Sequence, residues 1–338
     1  MLPQLLLPQP PRTVLSASNT EEARMKFQNR ITDMLGVEIP IVQAPMGYIA
    51  RAQLASAVSH TGALGIIETS SGALDEIRGE ISKMRELTEQ PFGVNIAQAF
   101  IRDPSIIDFV IEQGVRFVTT SAGDPRKFTE VLKGAGLTVF HVVPSLKAAL
   151  RAVEAGVDGL VVEGGEGGGF KNPREVSTMV LLPLVRSKVD VPIIAAGGVC
   201  DGSSMAAAFA LGAEGVQLGT RMVSALESPI HDNWKQGIVD AEETDTVMLR
   251  GERGPALRAL RTETTNRLEA EGGDPMTALG QGMRDVYFEG NIDNGVPLTG
   301  QVAGRIEAVR PVADIIGDMV EEFEDVVGSM GRQYAGLN

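Results

Sequence analysis

The sequence lacks the features that mark several common classes of protein. Its single cysteine, Cys200, excludes an intrachain disulfide and with it a disulfide-stapled secreted scaffold. No apolar run approaches the roughly 20 residues that a membrane-spanning helix needs. The leucines near the N-terminus follow no basic region, so the pattern does not indicate a signal peptide. We therefore expect a cytoplasmic protein.

Basic residues are also scarce. The chain has 30 Lys and Arg against 44 Asp and Glu, which gives a formal net charge of −14. Such a charge repels phosphate backbones and anionic lipid headgroups, so binding to nucleic acid or to a membrane surface is not expected. A small molecule is the expected partner. The sequence leaves the oligomeric state open, with a homodimer as one option.

Eight short apolar runs, rich in Val and Ile, alternate with longer amphipathic stretches. The runs cover residues 41–46, 63–68, 92–97, 116–120, 138–143, 159–163, 192–198 and 215–220. Strands that are apolar on both faces and separated by helices are typical of a parallel sheet covered by helices. The pattern predicts an α/β fold, a (β/α)8 TIM barrel. An open doubly wound sheet is the alternative, but residues 44–47 do not form the phosphate fingerprint expected after its first strand.

The stretches between the strands have the spacing and the caps of helices. Residues 74–87 place apolar side chains three or four positions apart, which predicts one helix. Ser145 and Asp201 are suited to begin helices, and Gly156 and Gly212 to end them before the next strand.

The chain divides into four predicted parts. Residues 1–28 are expected to form a disordered leader and residues 29–227 the barrel. After Thr220 the strand rhythm ends, and residues 228–283 are expected to form a helical lid subdomain over the mouth of the barrel, without a ninth strand. Residues 284–330 are expected to return to the barrel and to end in a helix over about 312–327 that packs on its wall.

Glycines are concentrated where strands six, seven and eight end. Strand six leads into Glu163 and the run 164–169, strand seven ends at Gly197 and Gly198, and strand eight ends at Gly219 and Thr220. Glycine lets the backbone approach a ligand closely, and its N–H groups can hold a phosphate. Phosphate binding after the last strands is a recurring property of this barrel. The three motifs therefore predict a phosphate-binding site on one face.

These motifs resemble the nitronate monooxygenase family, also called 2-nitropropane dioxygenase-like, and the related FMN-dependent enoyl-acyl-carrier-protein reductases. The matching segments are 41–47, 92–95, 164–169, 192–198, 218–221 and 299–301. The resemblance implies an FMN barrel in which Ala44, Pro45 and Met46 border the isoalloxazine ring and Asn95 hydrogen-bonds the flavin. It further implies that Gly168, Gly169, Gly197, Gly198, Gly219 and Thr220 hold the phosphate. Glu163 occupies a position where the family often has a polar residue facing the flavin.

One position departs from the family. Members commonly have a histidine after the glycine run of strand six, and this chain has Phe170 there. Glu166, flanked by glycines and therefore expected to be mobile, is one candidate acid or base. Tyr48, just after strand one, is a candidate proton donor. His141, on strand five, is the third candidate because it could point into the barrel mouth.

Three hypotheses about function follow from the resemblance. The first is an FMN oxidoreductase that oxidises nitronate-like carbanions with O₂. A nitronate is already an anion, whereas a neutral nitroalkane needs a base, which Phe170 cannot supply. The second is a reductase that uses NAD(P)H and acts on an enoyl thioester or a quinone. A phosphate-binding cluster of Arg250, Arg253, Arg258 and Arg261 would favour it, unless these residues pair with nearby acidic residues. The third is a flavin-binding protein without activity.

Overall fold

The computed structural model describes residues 26–252 and 254–336, and its centre is a barrel of eight parallel strands. The barrel strands are β1 (Ile41–Gln43), β2 (Gly65–Glu68), β3 (Phe92–Ala97), β4 (Phe117–Ser121), β5 (Thr138–Val143), β6 (Gly159–Glu163), β8 (Ile193–Ala196) and β9 (Gly215–Leu218). They pair in the order β1-β9-β8-β6-β5-β4-β3-β2, and a parallel bridge from Val42 to Leu64 brings β1 beside the start of β2. The TIM barrel and its eight predicted strands are confirmed. The predicted leader, except its last three residues, lies outside the described residues.

A helix follows each barrel strand. These helices are α2 (Ala52–His60), α3 (Leu74–Leu87), α4 (Ile106–Glu112), α5 (Thr129–Gly134), α6 (Leu146–Glu154), α7 (Thr178–Arg186), α8 (Gly202–Ala210) and α9 (Thr220–Val223). The predicted caps are confirmed: the side chains of Ser145 and Asp201 accept the backbone N–H groups of Ala148 and Ser204. Gly156 and Gly212 have φ of 84° and 101°, a region that favours glycine. Each glycine therefore ends its helix and lets the chain turn into the next strand.

The inside of the barrel is filled by apolar side chains below the mouth. Val42, Ile66, Phe117, Phe140, Val161 and Ile194 belong to one buried cluster. The rings of Phe117 and Phe140 meet edge to face with centroids 5.3 Å apart. Helix α1 (Arg30–Leu35) adds Ile31 and Leu35 to the same cluster. Polar residues of the same strands lie further along, at the C-terminal ends. Among the described residues, the filled interior therefore leaves that face of the barrel open for a ligand.

The segment after the barrel is only partly helical. It contains α10 (Asp232–Val239), α11 (Glu263–Glu271) and α12 (Pro275–Arg284), and also β10 (Thr246–Leu249) and β11 (Ala256–Leu260). These strands pair with β7 (Gly169–Lys171) into an antiparallel sheet ordered β10-β11-β7. The prediction of an all-helical segment without a further strand is therefore wrong. All five residues of β11 are buried, so the strand lacks the polar–apolar alternation that would have revealed it.

The chain then returns to the barrel. A π-helical turn (Asp285–Glu289) and 3₁₀ turns at Ile292–Asn294 and Gln301–Arg305 lead to the long helix α13 (Val312–Ala335), and two other 3₁₀ turns lie at Gln98–Phe100 and Pro125–Lys127. Helix α13 begins where predicted, extends beyond residue 327, and packs on α8, with Phe323 contacting Phe209. Within the described ranges no helix has both the length and the apolar character needed to cross a membrane.

Candidate active site

A cavity of about 540 Å³ opens at the C-terminal ends of the barrel strands. Its lining includes the ends of β1, β3, β6, β8 and β9, the glycine run after β6, and residues of the later segment such as Trp234, Tyr287 and Gly300. Of the predicted site residues it brings together Ala44, Pro45, Met46, Asn95, His141, Glu163, Glu166, Gly168, Gly169, Gly197, Gly198, Gly219 and Thr220. Tyr48 does not line it.

The glycine run after β6 packs directly on the returning chain. A Cβ added to Gly168 would lie 2.8 Å from the backbone nitrogen of Gly300, and one added to Gly300 would lie 2.8 Å from the carbonyl of Glu166. The Gly300 N–H donates to the hydroxyl of Thr220 at 2.8 Å, and the Gln301 N–H donates to the Glu166 carbonyl at 2.9 Å. Glycine is needed at both positions because the two backbones approach too closely for any side chain.

Unused polar groups around this junction fit a bound phosphate and its attached chain. Within the described chain, the backbone N–H groups of Gly198, Gly219 and Thr220 have no hydrogen-bond acceptor. The side-chain oxygen of Gln217, on β9 in the cavity wall, is buried and has no donor. Buried polar groups are rarely left unpaired, and N–H groups in glycine turns bind anions. The donor set therefore fits a phosphate, and the Gln217 oxygen fits a hydroxyl or N–H of the same ligand.

Asn95 is fixed at the cavity wall by neighbouring strands. Its side-chain nitrogen donates to the hydroxyl of Thr119 at 2.9 Å and to the Thr119 carbonyl at 3.2 Å. Because the nitrogen is engaged on β4, the amide oxygen is the group left to accept a hydrogen bond from a ligand.

Glu166 is held in place, so the expectation that its side chain is mobile is wrong, while its role as an acid or base stays a prediction. Its carboxylate accepts the backbone N–H of Thr178 at 2.9 and 3.0 Å, and the Thr178 hydroxyl lies 2.9 Å from the same carboxylate. A carboxylate at the start of α7 is also stabilised by the helix dipole. The flanking glycines let the loop turn sharply, but they do not free the side chain.

His141 borders the cavity but faces the helix side of β5. It shares a strand face with Val139 and Val143, which belong to clusters that include helix residues outside the barrel. Its Nδ1 lies 2.7 Å from the Thr120 hydroxyl. Burial lowers the pKa of His141 to about 4, although a hydrogen bond with the backbone of Gly123 acts to raise the pKa. The imidazole is therefore neutral near pH 7 and is already hydrogen-bonded.

Tyr48 lies beside the cavity and contributes to packing. Its φ is 63°, and its backbone N–H donates to Ser71 at 2.9 Å and to the buried carboxylate of Glu68 at 3.2 Å. Its ring packs edge-on against Tyr287 and Phe288. These contacts explain the unusual backbone conformation and leave the phenol outside the cavity lining.

Phe170 and Lys171 point to opposite sides of β7. The Phe170 ring contacts Phe100, with centroids 5.0 Å apart, and packs on the cluster formed by β10 and β11. Lys171 is 5% exposed, and its ammonium forms an ion pair with Glu163 in the cavity wall. No motif in the sequence singles out Lys171. A strand through residues 169–171 would have indicated it, because successive side chains alternate across a strand.

The arginines of the later segment do not form a phosphate-binding cluster. Arg258 is buried and donates to the Gly165 carbonyl at 2.7 Å and to Glu175 at 2.8 Å. Arg250 contacts the same carboxylate at 3.4 Å, and Arg261 pairs with Glu269 at 2.7 Å. These three residues are paired, as the alternative interpretation expected, and Arg253 lies outside the described residues.

Comparison with known proteins agrees with this arrangement. The family model described as nitronate monooxygenase matches residues 28–322. A (3aS,4S,5R,7aS)-5-hydroxy-7a-methyl-1-oxo-octahydro-1H-indene-4-carboxyl-CoA dehydrogenase from Rhodococcus jostii is 37% identical over 73% of this chain and 69% of its own. A probable nitronate monooxygenase from Staphylococcus saprophyticus is 30% identical over 72% of this chain and 81% of its own. The solved structure of FabK from Thermotoga maritima has a TM-score of 0.83 and 40% identity, covering 90% of this chain and 98% of FabK. The chain therefore belongs to the nitronate monooxygenase family and is a flavin-type oxidoreductase.

Proposed function

We propose that the protein is an FMN-dependent, NAD(P)H-using reductase of an enoyl thioester carried by coenzyme A or an acyl carrier protein. The observation that carries the proposal is the charge in the cavity. The three candidate acid–base residues named from the sequence are engaged in other contacts or lie outside the lining, whereas the ammonium of Lys171 lies in the wall. A cation is suited to donate a proton, which the reduction of a double bond requires.

The relatives support a thioester. The Rhodococcus jostii enzyme is named for a CoA thioester, and FabK is an enoyl-acyl-carrier-protein reductase. Their identities to this chain, 37% and 40%, exceed the 30% of the probable nitronate monooxygenase. Oxidation of nitronates, the first hypothesis from the sequence, stays a prediction and is the second candidate because of that relative.

The residues present would hold FMN in a defined way. The N–H groups of Gly198, Gly219 and Thr220 would bind its phosphate, and the oxygens of Gln217 and Asn95 would accept hydrogen bonds from it. When bound, FMN supplies transfer of a hydride from a nicotinamide to a carbon of the substrate. The protein fixes these groups and limits access of water, since the apolar barrel interior closes the cavity from below.

The test separates the two halves of the reaction under anaerobic conditions. We expect the purified protein to carry FMN, NADH or NADPH to bleach the flavin, and crotonyl-CoA to restore its absorbance. Free FMN at the same concentration is the control for uncatalysed reduction. Bleaching by propionate 3-nitronate, without any response to crotonyl-CoA, would refute the proposal in favour of nitronate oxidation. Flavin that responds to none of these compounds would support the inactive flavin-binding protein.

A further inference from the structure

We propose that Lys171 is the proton donor to the substrate, held in position by Glu163. It would hydrogen-bond the thioester carbonyl and protonate the α-carbon, the role that the histidine of related proteins cannot perform here because Phe170 replaces it. This inference rests on the proposed thioester chemistry. The proton donor would therefore be Lys171, the residue that directly follows Phe170 on β7.

The position of Lys171 is fixed by the strand that carries it. Backbone pairing places Lys171 opposite Ala256, Phe170 opposite Leu257 and Gly169 opposite Arg258. Side chains alternate along a strand, so the pairing that directs Phe170 onto the cluster of β10 and β11 directs Lys171 to the other face. A slip of the pairing would exchange the two, and the buried pairing partners oppose it.

The surroundings of the ammonium suit a donor. The Lys171 side chain is 3% exposed and that of Glu163 25% exposed. A Cβ added to Gly167 would lie 2.7 Å from Lys171 Nζ and 3.2 Å from Glu163 Oε1, so the glycine run packs directly on the ion pair, and both side chains of the pair border the cavity. Among the described residues, Glu163 is the one hydrogen-bond partner of Nζ, which has three protons to donate. Two N–H groups are therefore left for a substrate.

The other charged side chains that line the cavity already have hydrogen-bond or ion-pair partners. Glu175 pairs with Arg258 and Arg250, and Glu166 accepts hydrogen bonds from Thr178. Lys171 is therefore the cationic side chain of the described lining that retains unused donors.

When bound, FMN reduced by NAD(P)H would supply the hydride that the β-carbon of the enoyl thioester accepts, and FMN would be oxidised in the same transfer. The electrons of the broken C=C π bond move to the α-carbon and the thioester oxygen, where the Lys171 ammonium stabilises the negative charge. One N–H bond of Lys171 then breaks and its proton forms the new C–H bond at the α-carbon. Neutral Lys171 takes a proton from water.

The first experiment measures binding to the oxidised holoenzyme, without turnover. Acetoacetyl-CoA deprotonates readily to an enolate and imitates the charge that develops on the substrate, whereas CoA alone lacks that group. We expect Lys171→Met to weaken binding of acetoacetyl-CoA by about 10- to 100-fold, the value of a charge-assisted hydrogen bond, and to leave binding of CoA unchanged. Lys235→Met is the matched control, because Lys235 is also a buried, ion-paired lysine and does not line the cavity.

The second experiment asks whether Lys171 delivers a proton. In single turnovers, crotonyl-CoA should reoxidise the flavin about 10²- to 10⁴-fold more slowly in Lys171→Ala, with reduction by NAD(P)H unchanged. Added ethylammonium, which fits the vacated space, should restore part of the rate. A purely structural lysine would give no such rescue. If the alanine variant loses flavin, Lys171→Gln serves in its place.

The outcomes separate the two proposals. Wild-type protein that binds neither CoA nor acetoacetyl-CoA and does not respond to crotonyl-CoA refutes the proposed function, and the role of Lys171 with it. Wild-type protein that reduces crotonyl-CoA, together with a folded, flavin-loaded Lys171→Met variant that binds acetoacetyl-CoA equally well, overturns the role of Lys171 alone.

Discussion

Substitution of Gly168 by alanine tests whether the close contact between the glycine run and the returning chain forms the cofactor site. The added Cβ would lie 2.8 Å from both the nitrogen of Gly300 and the carbonyl carbon of Thr299. Both are backbone atoms, so one loop must move. Overpacking of this kind costs about 1–3 kcal/mol. If that cost falls on the flavin-bound arrangement, it corresponds to about 5- to 150-fold weaker binding of FMN.

The assay is titration of the apoprotein with FMN, followed by the quenching of flavin fluorescence. Gly317→Ala is the matched control: Gly317 lies within α13, and a Cβ there meets no atom within 4 Å. We expect the control to bind FMN as the wild type does and to gain up to about 1 kcal/mol of stability from helix propensity. A Gly168→Ala variant that unfolds cooperatively and binds FMN with wild-type affinity would show that this contact does not shape the site.

Three further predictions test the roles assigned to individual side chains. Since burial lowers the pKa of His141 from 6.5 to about 4, the unfolded state binds a proton more readily, and stability falls as pH falls through that window. The loss in the free energy of unfolding reaches about 3 kcal/mol near pH 4. Urea denaturation of His141→Gln should therefore show a shallower decline of stability with falling pH than the wild type shows. Parallel curves for the two proteins would refute this role of His141. Glu166→Gln can still accept the N–H of Thr178, so turnover should fall less than about 10-fold, whereas a loss of 10²-fold or more would make Glu166 the acid or base. Arg258→Met should destabilise the protein by about 2–3 kcal/mol and weaken FMN binding, because the Gly165 carbonyl loses its donor. Arg250 is exposed, so Arg250→Met should cost less than about 1 kcal/mol. Urea denaturation measures both values.

The barrel was predictable because each of its repeats is encoded locally. Short apolar runs give the strands, residues such as Ser145 and Asp201 begin helices by bonding N–H groups three positions away, and glycines such as Gly156 end them. The three-stranded sheet was not predictable in the same way. Its strand β7 has three residues and pairs with β11, which lies more than 80 positions later. No local pattern in the sequence indicates so distant a pairing. Because all five residues of β11 are buried, the strand also lacks the alternation of polar and apolar residues that predicts a strand.

The gathering of the predicted site residues at one cavity was predictable from the sequence, whereas the contacts of the individual acids and bases were not. The glycine motifs and residues 44–46 lie in one cavity because the ends of parallel strands meet at one face of a barrel. The state of each acid or base depends on its partners in space. Glu166 is bound by Thr178, twelve positions away, and Lys171 meets Glu163 only because β7 folds back over the mouth. Sequence spacing alone gives neither contact.

The three-residue strand β7 also bears on how chemistry can change within such a barrel. It joins the glycine run 164–169 to the outer sheet, and its pairing decides which of two adjacent side chains that border the cavity meets Glu163 and which packs on the sheet. A single residue inserted or deleted in the glycine run would shift this choice by one position, with the eight-stranded scaffold unaltered. The barrel could therefore exchange an imidazole for an ammonium as its acid through small changes in one loop, so that substrate preference can diverge quickly while cofactor binding is retained.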